Sequence, residues 1–352
     1  MAMLVVCGTL SVYKGHVMVA NADLIWDTLH VARYAFITCA GRDESELRRA
    51  GSLLRALLRA FVAVSYQTLA IWIAIPWLTD DRVPVANGDG TMAEYRMNVN
   101  NLWTPLPVAV YNATAVWAVV YAIEVFLITV NVFFWALFDC YLVTMCFVLN
   151  AQFHTIAAAY EKLAWSPSPH RHSGIRENND GFELDHYDNL ILHIKDNQRI
   201  MMKFNDFFDI VQPVILVQIV NGSFLVITLI YLTLLMYFTG WSIKSLPILK
   251  FFSGMASLTI ELYIYCYAFN HIETKKNVVN FGLYSSNWTA MSIKFKRTLL
   301  ATMKMNAAHQ RLMKITPISI VNLEMFSKVM NMSYSVVTVL LNSNSTQTKE
   351  ME

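Results

Sequence analysis

The chain has 352 residues, 56% hydrophobic and 15% charged, with a mean hydropathy of +0.41 and a formal net charge of +2. A soluble domain carries about 25% charged residues, so this composition excludes an ordinary water-soluble globule and points to a membrane protein. The near-neutral charge gives no basis for nucleic-acid binding, and five scattered cysteines (Cys7, Cys39, Cys140, Cys146, Cys266) with no CxxC pair suggest neither a disulfide scaffold nor a zinc site.

In chain order, the first apolar stretch is MAMLVVCGTLSV, residues 1–12. It falls short of the roughly 20 residues a spanning helix needs, and it lacks the basic flank of a signal peptide. It reads as the inner end of a helix whose beginning is missing. Five candidate spans follow. The first is Phe61–Leu78, without charge, and the second is Val108–Phe138, with Glu124 inside it. Apolar character continues past Asp139 to Leu149, so this second helix should project well beyond the membrane. The third, Ile210–Ile243, is charge-free, the fourth is Phe251–Asn270 with Glu261 inside it, and the fifth is Ile318–Leu341.

Lys and Arg collect on one side of these spans: Arg42, Arg48, Arg49, Arg55 and Arg59 before the first, and Lys275, Lys276, Lys294, Lys296 and Arg297 after the fourth. The positive-inside rule then makes residues 1–60 cytoplasmic and the C-terminus extracellular. The expected division is 1–60 inside, 61–149 two spans with an outer loop, 150–209 a cytoplasmic anchor, 210–270 two spans, 271–316 a cytoplasmic loop and helix, 317–341 the last span and 342–352 an outer tail. The helix expected at Phe295–Lys314 places Leu299, Met303 and Ala307 on one face. Asn112 and Asn344 are candidate glycosylation sites on the outer side, and Asn287 belongs to a cytoplasmic sequon. His170, His172, His186 and His193 fall in a polar stretch read as a solvated loop rather than a metal site. No Walker A, GxSxG or HExxH pattern occurs, so the expectation is no enzyme, no cofactor and no metal.

Two C-terminal stretches carry a resemblance. LYIYCYAFNHIETKKNVVNFGLYSSNWTAMSIKFKRTLLATMKM and ISIVNLEMFSKVMNMSYSVVTVLL are similar to the end of the sixth helix, the following loop and the last helix of insect odorant receptors. LWTPLP, Leu102–Pro107, is similar to an element before that family's fourth helix. The resemblance runs over roughly residues 12–344 and implies an all-α, polytopic transmembrane helical bundle of the insect odorant receptor type. That family has seven spans, so the five here would be the third to the seventh. The first span and most of the second would be absent, with residues 13–60 as the first intracellular loop, which makes the chain N-terminally incomplete.

By the same resemblance the protein would be the odorant-binding subunit of a ligand-gated, non-selective cation channel. It would form a heterotetramer with the odorant co-receptor (Orco) in the plasma membrane of olfactory sensory neurons. Its last helix would line the pore, with Val337 and Leu341 at the gate and Ser333 and Tyr334 in the family's SY element. Hydroxylated residues in that helix suit a surface shared between water and neighbouring helices. The ligand would be small, volatile and apolar, held in the outer half of the bundle. The candidate lining residues share helix faces: Ser65, Thr68, Leu69 and Trp72, then Val116, Trp117, Val120 and Tyr121, then Phe251, Phe252, Met255 and Thr259. Glu124 and Glu261 are acids at membrane depth, which face protein or water, and for Glu261 a structural partner among the inner basic residues is favoured. Three alternatives fit less well. A G-protein-coupled receptor would place its N-terminus outside, a gustatory receptor would end on Gln-Phe, and a transporter would carry internal repeats.

Overall fold

A computed structural model of the chain describes residues 2–33, 36–38, 44–79, 82–86, 92–102, 106–165, 179–238, 246–308, 311–314 and 320–350, and the side chains of Leu341 and Asn344 lie outside the described residues. The helices are α1 (Ala2–Ala20), α2 (Ala22–Leu29), α3 (Glu44–Leu78), α4 (Val108–Tyr111), α5 (Thr114–Glu161), α6 (Asn179–Phe238), α7 (Leu246–Ser285), α8 (Ile293–Ala308) and α9 (Leu323–Glu350). Segments of α3, α5 and α6 are long and apolar enough to cross a membrane, and α7 and α9 run against them. In hydrocarbon every backbone polar group must be satisfied within the segment, so charge-free runs of this length resolve as helices.

The 48 residues of α5 and 60 of α6 reach about 72 and 90 Å at 1.5 Å per residue, two to three times the hydrocarbon thickness. The C-terminal half of α5, the N-terminal half of α6 and the C-terminal half of α7 build the dense core around Phe138, Leu142, Met145, Phe153, Phe207 and Leu283. There α5 and α7 touch without side chains between them: a Cβ on Gly282 would stand 2.4 Å from the Ala157 carbonyl oxygen. Only glycine permits that approach.

Four local features depart from the sequence-based expectations. The helix α1 runs on through Ala20, where an intracellular loop was expected from residue 13. It is held there by packing on α5 and α6. The segment between α3 and α4 carries an antiparallel pair, β1 (Arg82–Ala86) with β2 (Met92–Arg96), paired Arg82 to Arg96. The helix expected at Phe295–Lys314 stops at Ala308, and Lys314 instead pairs with Ile320 in an isolated bridge. Phe295 and Leu299 are buried as a core-facing stripe requires, while Ala307 is exposed. Finally, His186 and His193 sit buried in α6 rather than in a solvated loop, and His170 and His172 lie outside the described residues. Burial, with Asp196 acting against it, pushes the His193 imidazole down to about 4.

Candidate functional site

A cavity of about 220 Å³ opens between α3, α5 and α7, and α1 and α6 complete its wall. Its α3 side is Phe61, Ser65, Thr68 and Trp72, and its α5 side is Ile128, Asn131, Val132, Trp135 and Ala136. From α7 come Gly254, Ser257, Leu258 and Glu261, with Cys7 and Gly8 from α1, Leu229 from α6 and Asn100 from the outer loop. Most of this wall is apolar. Thr68 and Ser257 bridge it with a 3.0 Å hydroxyl pair. Gly254 keeps the α7 side open beside Trp72, whose Cζ2 would lie 3.4 Å from an added Cβ. The Trp72 indole N–H is buried without a partner among the described residues.

At one end Asn100 borders the cavity, and three side chains hold the segment 97–102 down. Glu124 accepts the backbone N–H groups of Asn100 at 2.6 Å and Leu102 at 2.9 Å. Trp117 Nε1 donates to the Met97 carbonyl at 3.0 Å. Lys250 Nζ donates to the Val99 carbonyl and lies 4.6 Å over the Trp72 ring. A carboxylate is the natural choice at Glu124, because it accepts two N–H groups and needs no donor of its own.

The opposite end is a buried ionic cluster. Lys14 of α1 pairs with Asp139 of α5 at 2.7 Å and stands 3.5 Å from Glu261 of α7. Glu261 accepts from Trp135 Nε1 at 2.6 Å, from the Tyr265 hydroxyl at 3.0 Å and from the Gln218 amide. Tyr265 also contacts Asp139. The expected basic partner of Glu261 is therefore Lys14, which sits in the segment read from sequence as a loop.

The sequence-derived ligand residues divide by position. Ser65, Thr68 and Trp72 line the cavity. Leu69, Trp117, Val120, Tyr121, Val116, Phe251, Phe252, Met255 and Thr259 are not among its lining residues. Trp117 and Tyr121 instead stack on each other 5.3 Å apart under Trp77, and the Tyr121 hydroxyl donates to the Ile73 carbonyl at 2.9 Å. Phe252 is exposed. On α5 the wall lies about three to five turns beyond Trp117, and on α7 it is a different face from that of Phe252, Met255 and Thr259. Sequence reasoning missed Asn131, Trp135 and Ser257; Glu261, an acid within an apolar run, was the one wall residue on α7 that had been singled out.

On α9, Ser333 and Val337 are buried within the chain and Ser333 Oγ donates to the Val329 carbonyl at 2.8 Å. Tyr334 is 74% exposed. Leu341 has its side chain outside the described residues. Asn112 engages strand β2, donating to the Glu94 carbonyl at 3.0 Å and accepting from the Arg96 N–H at 2.9 Å.

The comparisons agree with this architecture. The family profile named 7tm Odorant receptor matches residues 2–334. Odorant receptor 2a of Drosophila melanogaster is 31% identical over 86 residues, a stretch that spans 24% of this chain and about a fifth (21%) of that relative. The olfactory receptor OR5 of Machilis hrabei superposes with a TM-score of 0.75 at 10% identity, covering 96% of this chain and 79% of that one. The same receptor in complex with eugenol superposes at 0.72, again at 10% identity, covering 96% and 78%. At that identity the structural likeness establishes the fold, a multi-pass helical membrane bundle. The profile match over nearly the whole chain goes further: the chain belongs to the 7tm odorant receptor family.

Proposed function

We propose that the chain is the odorant-binding subunit of a ligand-gated, non-selective cation channel that it forms with the odorant co-receptor, Orco. The observation that carries this reading is the apolar cavity between α3, α5 and α7, bordered at one end by a tethered segment. Its size and its few polar anchors suit a small volatile molecule. The related OR5 has been captured with eugenol, a molecule of that kind. In this reading ligand occupancy shifts the equilibrium between closed and open assemblies by its differential affinity for the two.

The pore wall would come from α9, with residues 1–60 inside and the tail outside, in the plasma membrane of olfactory sensory neurons. For Val337 and Leu341 to form the gate, α9 must turn about its axis on assembly or opening, since Val337 is buried against the chain's own helices. The face already exposed carries Asn331, Tyr334, Ser335 and Thr338. Co-expression with the co-receptor and recording of currents over an odour panel tests the reading. Odour-evoked cation currents that need both chains are expected, and a panel without any current at normal surface expression overturns it. An epitope after Glu352 should be stained on unpermeabilised cells.

A further inference from the structure

A second cavity, of about 180 Å³, lies farther along α5 and α7, past Asp139 and Tyr265, and α3 completes its wall. Two of its wall residues are cations, Arg49 of α3 and Lys275 of α7, and among the described residues no Asp or Glu borders it. Neither cation belongs to an ion pair among the described residues. Glu273, two residues from Lys275, borders a separate cleft with Lys276 and Arg311. Three further wall residues carry a polar atom that is withdrawn from solvent and has no hydrogen-bond partner among the described residues: Asn150 Oδ1, His154 Nδ1 and His271 Nδ1. A half-turn of the amide or of either imidazole re-aims its N–H. Such unmet groups cost free energy until a partner arrives.

This cavity straddles the level where apolar sequence gives way to basic. Arg49 lies about three turns before the charge-free run that starts at Phe61, and Lys275 just past the apolar run that ends at Asn270. Lipid headgroups occupy that level of a bilayer. Leu53, one turn nearer the apolar run than Arg49, also borders the cavity and is 57% exposed. It sets an apolar surface beside the cationic wall. A phosphate monoester supplies what the wall lacks, since it carries close to two negative charges near neutral pH and several strong acceptor oxygens. Basic pockets between membrane helices hold phosphorylated headgroups in the same way.

We propose that this second cavity holds the headgroup of an acidic phospholipid that ends in a phosphate monoester, of which phosphatidic acid is the simplest. The phosphate lies between Arg49 and Lys275 and takes N–H groups from Asn150, His154 and His271, and an acyl chain passes Leu53. Two cations without acidic partners match a dianion better than the single charge of a phosphodiester. The apolar surface at Leu53 favours a lipid over free phosphate. A headgroup held there ties α3 to α7, and the inference depends neither on the channel reading nor on the first cavity being the odorant site.

The test is native mass spectrometry of the full chain in detergent with equimolar dioleoyl phosphatidic acid, phosphatidylglycerol and phosphatidylcholine, read as the ratio of bound lipids. At about fivefold for each cation, phosphatidic acid should be retained about twenty-five-fold over phosphatidylcholine, with phosphatidylglycerol between them. Arg49→Gln combined with Lys275→Gln should bring that preference close to one. Arg55→Gln combined with Arg59→Gln removes the same charge from exposed positions of α3 outside the cavity and should leave the preference in place. A large excess of inorganic phosphate, added beforehand, should not displace the lipid. Equal retention of the three lipids by the wild-type chain overturns the inference, even where a variant does not fold. An equal loss in both double variants overturns it too, because the attraction would then belong to the basic surface at large. Displacement by inorganic phosphate overturns the lipid as occupant.

Discussion

Lys14 Nζ lies 2.7 Å from Asp139 Oδ1, and both side chains are withdrawn from solvent. The pair joins α1 to α5 across 125 residues of sequence. A lysine this deep is tolerated because it meets two carboxylates and lies 4.1 Å over the Trp135 ring, where the π-face adds attraction. Removing one member of such a cluster leaves the others uncompensated. Lys14→Met should therefore destabilise the chain by about 3–5 kcal/mol. Asp139→Asn added to Lys14→Met should restore part of the loss, by removing one orphaned charge. Thermal unfolding in detergent of the two single variants and the double variant measures this. A Lys14→Met chain as stable as wild type would contradict the account.

Glu124 works at the opposite end of the cavity. Its two oxygens accept the N–H groups of Asn100 and Leu102. Glu124→Gln keeps the shape but turns one acceptor into a donor facing a donor. The variant should lose about 1–3 kcal/mol locally, the cost of an unsatisfied buried N–H. Amide hydrogen exchange at Asn100 and Leu102 should speed up, while amides in the inner core, such as that of Leu142, exchange at the wild-type rate. Unchanged protection at Asn100 and Leu102 would mean that the segment is held by other contacts.

His193 makes stability depend on pH. Burial holds its imidazole at about 4 in the folded chain, below its ordinary value of 6.5. The unfolded chain thus binds the proton more readily, and stability falls as pH drops from about 6.5 toward 4. By pH 5 the loss from this residue is about 2 kcal/mol. The stability is fully retained above the unfolded value, so almost no effect is expected between pH 7 and 8. Melting curves at pH 7.5 and 5 should show a smaller drop for His193→Gln than for wild type. Equal drops would assign the acid sensitivity elsewhere.

The rotation of α9 that the proposed gate requires can be tested by cysteine accessibility. Tyr334→Cys and Thr338→Cys lie on the exposed face, whereas Val337 is 4% exposed. If the chain forms the proposed channel, a small water-soluble thiol reagent should modify the first two at rest and spare Val337→Cys. With odorant present, Val337→Cys should become reactive if opening turns α9. A Val337→Cys that reacts as fast at rest as in odorant would place it permanently against water.

Hydropathy in the sequence determined the all-α architecture and the extension of α5 past Asp139, and the C-terminal motifs pointed to the family. These are local properties: an uninterrupted apolar run has only one way to satisfy its backbone in lipid. Spacing likewise grouped Ser65, Thr68 and Trp72 on one face of α3, and all three border the cavity.

The tertiary structure decided the rest. Helical periodicity says which residues share a stripe but not which stripe turns inward, because that phase is set by packing against neighbours. Trp117 and Tyr121 form as regular a stripe as Trp135 does, yet Trp77 and the outer loop claim them, and the cavity lies farther in. On α7 the difference is a single helix face, Gly254, Ser257 and Glu261 in place of Phe252, Met255 and Thr259. Lys14 looked like the first charge of a loop. What makes it interior is Asp139 and Glu261, brought to it by helices that begin more than 90 residues later, and a pairing over that distance leaves no trace in the residues around it.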